Sequence, residues 1–359
     1  MTPDDFDKLL RWAVENKASD VHLKVGSRPL VRIDGTLHPV KMTTLKPEDT
    51  NVASRRVLEG RFGKVSPSEI EDLDLPFDLP GVSRFRVNIF RQRGNLTLVL
   101  RTIPTTVPDF DELGLPPILA KISDDVRGLI LVTGATGSGK SSTLASMIRH
   151  INSTRPVHIV TIEDPIEFLH EDIKATVNQR EVGTDTESFN KALRASLRQD
   201  PDVILVGEIR DYETIDTALK AAETGHLVLS TVHTPDAGKT IGRVLALFPP
   251  DEQDLVRQRL ADNLRATISQ RLLKRSDGKG RVVAVEVMIV TGTVQDWLLE
   301  MDKPATIRDI IEKSRSQYGM LTFDQCLTDL YKGGLVTLDV AKASATNPAD
   351  FVRALHFEE

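Results

Sequence analysis

Apolar side chains recur at helical spacing near the start of the chain: Phe6, Leu9, Leu10, Ala13 and Val14 fall on one face. Thr2 can cap that helix, Pro3 suits its first position, and Asp5 completes a capping box. The period then drops to two. Two short runs follow, "SDVHLKVG" and "PLVRIDGTLHPV". The Asp34-Gly35 pair inside the second is a hairpin signal, because both turn positions need positive φ. In residues 84–90, Phe85, Val87 and Ile89 alternate with Arg84, Arg86 and Asn88. In 95–101, Asn95, Thr97, Val99 and Arg101 oppose the leucines. Residues 1–103 are therefore expected to form a small α+β domain with basic residues on an exposed sheet face.

Residues 102–117, "TIPTTVPDFDELGLPP", hold four prolines, and 104–117 reads as a hinge linker. Beyond it, over 118–290, apolar runs alternate with helical segments, the pattern of a parallel α/β sheet. The strand-like runs are 128–133, 157–162, 202–206 and 226–232, with helices near 139–151, 188–199 and 213–223. The spacing predicts one long charged helix over 251–275 and a further strand at 281–290. Short amphipathic helices fill 291–359. One of them is marked by Phe323, Cys326, Leu327, Leu330 and Tyr331 and stopped by Gly333-Gly334.

Composition narrows the function classes. No apolar run approaches the roughly 20 residues of a bilayer span, and the N-terminus lacks the apolar stretch of a signal peptide. A single cysteine, Cys326, rules out an intrachain disulfide and a four-cysteine zinc site, and fits a reducing cytosol. A net charge of −6 and an aromatic content of 5% argue against nucleic acid as a partner.

The chemistry begins at "GLILVTGATGSGKSS", residues 128–142, which reads as strand, Gly-rich loop and helix. Gly134, Gly139, Lys140 and Ser141 match the P-loop spacing, with Thr136, Gly137, Ser138 and Ser142 completing the cradle. Backbone N–H groups and the helix N-terminus would bind the phosphates of ATP. Lys140 would reach the β and γ phosphates, and the Ser141 hydroxyl would ligate Mg²⁺. Phosphate-binding strands of this kind usually have a partner strand ending in an aspartate. Here the run "DVILVGEIRD" places Gly207 at that position and Glu208 after it. A second run, "VHIVTIEDPIEF", carries Glu163 and Asp164 to the same sheet edge, and "GHLVLSTVHT" carries His233 there. We assign Glu163 to positioning the attacking water and Glu208 to the magnesium side. His226 and His233 flank one buried strand and are candidates to sense the γ-phosphate or to bond across an interface.

Four ordered motifs, "GATGSGKSS", "VTIEDPIEF", "LRQDPDVILVGEIRD" and "AETGHLVLSTVHT", resemble the bacterial secretion ATPases of type II secretion and type IV pilus systems. "SDVHL" and "RFRV…VLRTIP" resemble that family's smaller N-terminal domain, and "GMLTFDQCL" its C-terminal end. The absence of a long extra N-terminal region and of a four-cysteine module makes the chain similar to the retraction branch, the twitching-motility ATPases of the PilT and PilU type. "TVQDWLLE" stands where the main retraction branch usually carries "AIRNLIRE", and "REVGTDTESF" resembles the accessory retraction branch more than the main one.

The resemblance implies a PAS-like N-terminal domain, a RecA-like P-loop ATPase core and a helical C-terminal subdomain. It also implies a ring homo-hexamer whose ATP lies between the two domains, with Arg86 and Arg101 reaching its phosphates. The implied partners are the inner-membrane pilus platform protein and, as a further candidate, a paralogous retraction ATPase. The implied location is the cytoplasmic face of the inner membrane, held there through partners. An assembly or secretion ATPase is the nearest alternative, and a RecA-like DNA motor a more distant one.

Overall fold

The computed structural model describes residues 1–33, 35–59, 69–104, 106–300 and 306–357. The chain divides into two units, Met1–Thr106 and Val107–Glu359.

The first unit opens with helix α1 (Pro3–Glu15), where Thr2 and Asp5 form the expected capping box and Phe6, Leu9, Leu10 and Ala13 are buried. Strands β1 (Asp20–Leu23), β2 (Leu30–Ile33) and β3 (Thr36–Pro39) follow, then helix α2 (Pro47–Leu58) and strands β4 (Asp72–Leu79), β5 (Ser83–Gln92) and β6 (Asn95–Ile103). Among the described residues they form one antiparallel sheet in the order β3-β2-β1-β6-β5-β4. β2 and β3 pair as the expected hairpin, with Asp34 of its turn outside the described residues. The alternation holds in β5 and, but for the buried Thr97, in β6. Phe85, Val87, Ile89, Leu98 and Leu100 are fully buried in one cluster with the apolar faces of α1 and α2, while Arg86 and Arg101 are exposed.

The second unit starts at Val107, earlier than the linker reading allowed. Val107 and Leu115 are buried, and helix α3 (Phe110–Leu113) packs beside helix α4 (Ile118–Ser123). Both lie on helix α5 (Lys140–Thr154), whose Ser146 and Arg149 side chains donate to Pro108 O and Val107 O at 2.6 Å each. Most of 104–117 is thus bound to the second unit, because its apolar residues find a face to bury against.

Strands β7 (Gly128–Gly134), β8 (His158–Glu163) and β9 (Thr176–Glu181) come next, followed by helix α6 (Phe189–Ser196), strand β10 (Val203–Val206), helix α7 (Tyr212–Glu223) and strand β11 (Leu227–Val232). The chain continues through helices α8 (Ala237–Leu245) and α9 (Gln253–Asn263) into strands β12 (Leu264–Lys274) and β13 (Arg281–Ile289). Over the described residues the sheet order is β13-β12-β7-β11-β10-β8-β9, parallel except for β13 at one edge. β7, β10 and β11 are buried along their whole length, as expected for strands covered on both faces.

The long helix expected over 251–275 is a helix only as far as Asn263. Residues 264–274 form β12, slotted between β7 and β13, with Ala266, Thr267, Ile268 and Ser269 fully buried. Leu, Arg and Gln favour a helix locally, but burial of both faces and a partner strand on each side outweigh that weak preference.

The C-terminal helices, α10 (Gly292–Leu299), α11 (Ile307–Lys313), α12 (Arg315–Tyr318), α13 (Phe323–Lys332), α14 (Leu338–Ser344) and α15 (Pro348–Phe357), do not separate as their own unit. They pack into the two clusters that cover the sheet. Trp297 and Ile311 join one, and Phe323 and Leu327 the other.

α8 has an acidic anchor. The Ala237 N–H at its start donates to the buried Glu286 carboxylate of β13 at 2.8 Å. Burial, with Asp236 adding to it, pushes Glu286 from its ordinary 4.5 to about 7, against Arg271, Arg308 and the Ala237 bond. A carboxyl that holds its proton more tightly when folded stabilises the fold fully below about pH 4.5. That contribution is lost as pH rises through about 7. Glu286→Gln keeps the acceptor without the charge. It is expected to melt close to wild type at pH 5 and roughly 2–6 °C above it at pH 8, as read by thermal unfolding. A constant difference across that range would reject the assignment.

Candidate active site

The phosphate cradle is set by backbone geometry. Gly134 ends β7 with φ 144°, and a Cβ there would lie 2.5 Å from Ser138 Oγ and 2.6 Å from Gln270 O. Glycine is the residue that fits both constraints. Gly137 and Gly139 also take positive φ, and α5 starts directly at Lys140. The loop therefore wraps tightly and leaves the helix N-terminus open toward the cradle. Ser138 Oγ is buried without a hydrogen-bond partner among the described residues.

Lys140 is buried, its Nζ donating to Gly134 O and Ala135 O at 3.1 Å each. Burial pulls its amine below the ordinary range, while the negative charges of Glu208 and Glu167 oppose that pull. A desolvated ammonium beside carboxylates is poised for a phosphate, which offers better acceptors than two carbonyls.

Three strand ends converge on the cradle. A cavity of about 320 Å³ is lined by Lys140, Ser141, Glu163, Glu208 and His233, with Glu167 and His170 from the loop after β8. The turn after β10 is pinned on both sides. Gly207 N–H donates to Ile162 O at 2.8 Å, Thr231 Oγ1 to Gly207 O at 2.7 Å, and Ile209 N–H to Thr231 O at 2.9 Å. A Cβ at Gly207 would sit 3.3 Å from both Ile162 O and the Phe189 ring. The strand-end position usual for an acid is thus tight for a side chain, and the carboxylate at this strand end is that of the next residue, Glu208.

Glu208 is held at both oxygens, by Arg210 at 2.5 Å and His233 at 3.4 Å. Glu163 is held differently. Thr161 Oγ1 donates to its Oε1 at 2.6 Å and Gln179 Nε2 to the same oxygen at 3.1 Å. Burial pushes the Glu163 carboxyl up, and these donors restrain the rise without cancelling it. A raised carboxyl is closer to the value a general base needs at neutral pH.

Thr136, Gly137, Lys140, Ser141, Glu163, Glu208 and His233 all line the cavity, as the sequence suggested. Ser142, on the first turn of α5, is absent from that lining. The γ-phosphate reading of His226 is corrected. His226 precedes β11, whereas His233 follows it, so the strand's six residues hold the two histidines roughly 20 Å apart. Its Nδ1 meets Ala221 O at 2.9 Å, a bond that closes the turn after α7. In this chain His226 cannot reach the cradle.

Glu167, His170, Gln179 and Arg210 went unassigned from sequence. Arg210 stood in the quoted "GEIRD", and Glu167 in "PIEF", so both carried a signal. Burial pulls the His170 ring down to about 4, which leaves it neutral.

In the first unit, Arg86 of β5 and Arg101 of β6 are directly paired across the sheet. Like charges side by side are costly unless shared with acids. Arg101 bonds Asp20 at 3.0 Å, with Arg32 3.7 Å from the same carboxylate, and Arg86 lies 3.8 Å from Asp74. Both arginines remain about half exposed or more, at 47% and 69%; the Arg86–Asp74 pair is exposed on both sides and holds weakly, whereas Arg101 bonds a buried carboxylate. Arg84, expected to be solvated or at a subunit interface, is only 11% exposed and pairs with Asp78. Arg91 is exposed and donates to Ile70 O, ahead of β4, and to Gly94 O in the β5–β6 turn.

A family model described as "Type II/IV secretion system protein" matches residues 2–349. The "Type IV pilus retractation ATPase PilT" of Pseudomonas aeruginosa is 45% identical over 97% of this chain and 100% of its own length. The "Type IV pilus ATPase PilU" of the same organism is 40% identical over 96% of this chain and 90% of its own. A crystal structure titled "Pilus Retraction Motor PilT and Bound ADP" superposes with a TM-score of 0.86 at 44% identity, covering 97% of this chain and 98% of that one.

Proposed function

The chain belongs to the type II/IV secretion system protein family, and from that premise we propose that it is a ring-forming ATPase motor that drives type IV pilus retraction. The observation that carries it is the convergence of Lys140, Glu163, Glu208 and His233 on one P-loop cavity, in a chain 45% identical along its length to a retraction ATPase.

The cradle fits a nucleotide with its hydrated magnesium. Gly134 leaves room where a Cβ would fill the loop, and Ser138 Oγ is buried and unpartnered there. Among the described residues no group of three His, Cys, Asp or Glu side chains could hold a metal ion by itself. The Ser141 hydroxyl and Glu208 would hold Mg²⁺ together with the phosphates. When bound, the ion supplies charge neutralisation at the transferring phosphate.

Lys140 binds the β and γ phosphates, and Glu163 orients the attacking water and accepts its proton. His233 steadies Glu208. Arg86 and Arg101 supply positive charge to the phosphates during hydrolysis. Their exposure leaves both guanidinium groups accessible to a new partner, and Arg86 is only weakly paired. Arg101→Ala is expected to lower turnover roughly 10³-fold in phosphate release, in the range of supplied arginines, with the first unit still folded. A loss under about threefold would remove Arg101 from the reaction.

The homo-hexamer and the inner-membrane platform protein are part of the same proposal, supported by the kinship with pilus motors. Among the described residues no helix is long and apolar enough to cross a membrane, so attachment through a membrane partner is the arrangement proposed. The deciding test is a strain lacking the chain. Excess surface pili without twitching support retraction, whereas loss of surface pili would assign the chain to assembly.

A further inference from the structure

The edge strand β9 carries a side chain that the reaction so far leaves unused. Gln179 lies directly opposite Thr161 in the β8–β9 pairing, and its amide makes three bonds. Its Nε2 donates to Glu163 Oε1 at 3.1 Å and to Phe168 O at 2.9 Å, and its Oε1 accepts from His170 N–H at 2.9 Å. Phe168, His170 and Glu163 all line the cavity. One side chain thus joins a carboxylate of the site to both ends of a backbone turn in the loop that follows it. Two positions along the same face, the buried Glu181 accepts from Ile166 N–H at 3.2 Å and anchors the start of that loop.

We propose that Gln179 is a positioning residue of the ATPase site, which fixes the Glu163 carboxylate and the cavity-lining loop 164–170 in register with each other. The chemistry calls for an amide. A primary amide can donate to the carboxylate and to a carbonyl while accepting from an N–H, whereas a carboxylate or a hydrocarbon cannot do all three. The bonded Oε1 is also the oxygen that Thr161 contacts. Thr161 and Gln179 on one oxygen, with the Glu167 N–H as a further donor to the carboxylate, set its rotation. Small displacements of a reacting group are costly, so the effect falls on turnover more than on nucleotide binding.

The proposal rests on Glu163 being one of the reaction's carboxylates, and a double-mutant cycle separates the two claims. Phosphate release, ATP KM, affinity for a fluorescent ADP analogue and melting temperature are measured for Gln179→Leu, Gln179→Glu, Glu163→Gln and the Gln179→Leu/Glu163→Gln double variant. Gln179→Leu is expected to lower kcat on the order of tenfold, with KM and ADP affinity within about twofold of wild type. Gln179→Glu keeps the shape and the acceptor but loses both donations, so it is expected to lower kcat at least as much. It also serves as the reading if the leucine variant fails to fold. Added to Glu163→Gln, the Gln179→Leu change is expected to cost less than about twofold more, because both act through one carboxylate.

Unchanged turnover in the Gln179 variants beside an inactive Glu163→Gln would overturn the positioning role alone. So would a full multiplicative loss in the double variant, or a loss confined to KM. Near-normal turnover in Glu163→Gln would remove Glu163 from the reaction and the positioning role with it.

Discussion

Glu163→Gln is expected to cut ATP turnover by about 10²–10⁴-fold, the range for losing a positioned general base, while ATP affinity stays within about twofold. The amide keeps the size of the side chain and can still accept from Thr161 and Gln179, which hold the carboxylate in place. What it loses is the capacity to take a proton. Glu208→Gln is expected to behave differently. Glu208 has an oxygen on Arg210 and another on His233, so its charge helps balance the cations of the cradle. Its loss should raise the Mg²⁺ concentration needed for half-maximal rate, together with a fall in turnover. Phosphate-release rates titrated with Mg²⁺ at saturating ATP separate the two. A raised magnesium requirement in Glu163→Gln, with Glu208→Gln losing turnover alone, would exchange the two roles.

Lys140→Ala is expected to weaken ATP binding at least about tenfold and to reduce turnover at least about a hundredfold, with ADP binding affected less. Its ammonium is buried and satisfied by two loop carbonyls, so it stands in place before nucleotide arrives. Removing it takes away the cation that the proposed reaction assigns to the β and γ phosphates. It also leaves the charges of Glu208 and Glu167 less compensated in a partly desolvated cavity, which repels a triphosphate. Lys140→Arg is not expected to restore activity, because a guanidinium fork is larger and needs different acceptors from a compact ammonium. Titration of a fluorescent ATP analogue checks this, with melting temperature as the folding control. Affinity within twofold of wild type would mean that the cradle binds without its lysine.

The parts of this protein that could be read from its residues are those whose cause is local. Gly134, Gly139, Lys140 and Ser141 form a phosphate cradle because backbone freedom, a helix N-terminus and an amine are needed within eight residues, and spacing alone encodes that. The α1 cap and the alternation of β5 and β6 are equally short-range. So is the delivery of Glu163, Glu208 and His233 to one sheet edge, since parallel strands that start alike must end alike.

Other features were decided by contacts distant in sequence. Residues 264–274 have helix-forming side chains and became a strand because β7 and β13 flank them and both faces are covered. His226 and His233 look equivalent as residues flanking a strand, yet the strand's length puts them at opposite edges of the sheet. Residues 107–117 have linker composition, but α5 gave their apolar side chains a surface to bury against.

Gln179 shows the same division. Nothing in its neighbourhood of sequence marks it, since its partners are Glu163, Phe168 and His170 and become adjacent only when β9 pairs with β8. What the residues determined by themselves was the chemistry of each loop and the side of the sheet it occupies. Which side chains touch, and which donor holds which acceptor, was left to the tertiary structure. A hydrogen bond works over about 3 Å, and only packing brings groups that close from distant parts of the chain.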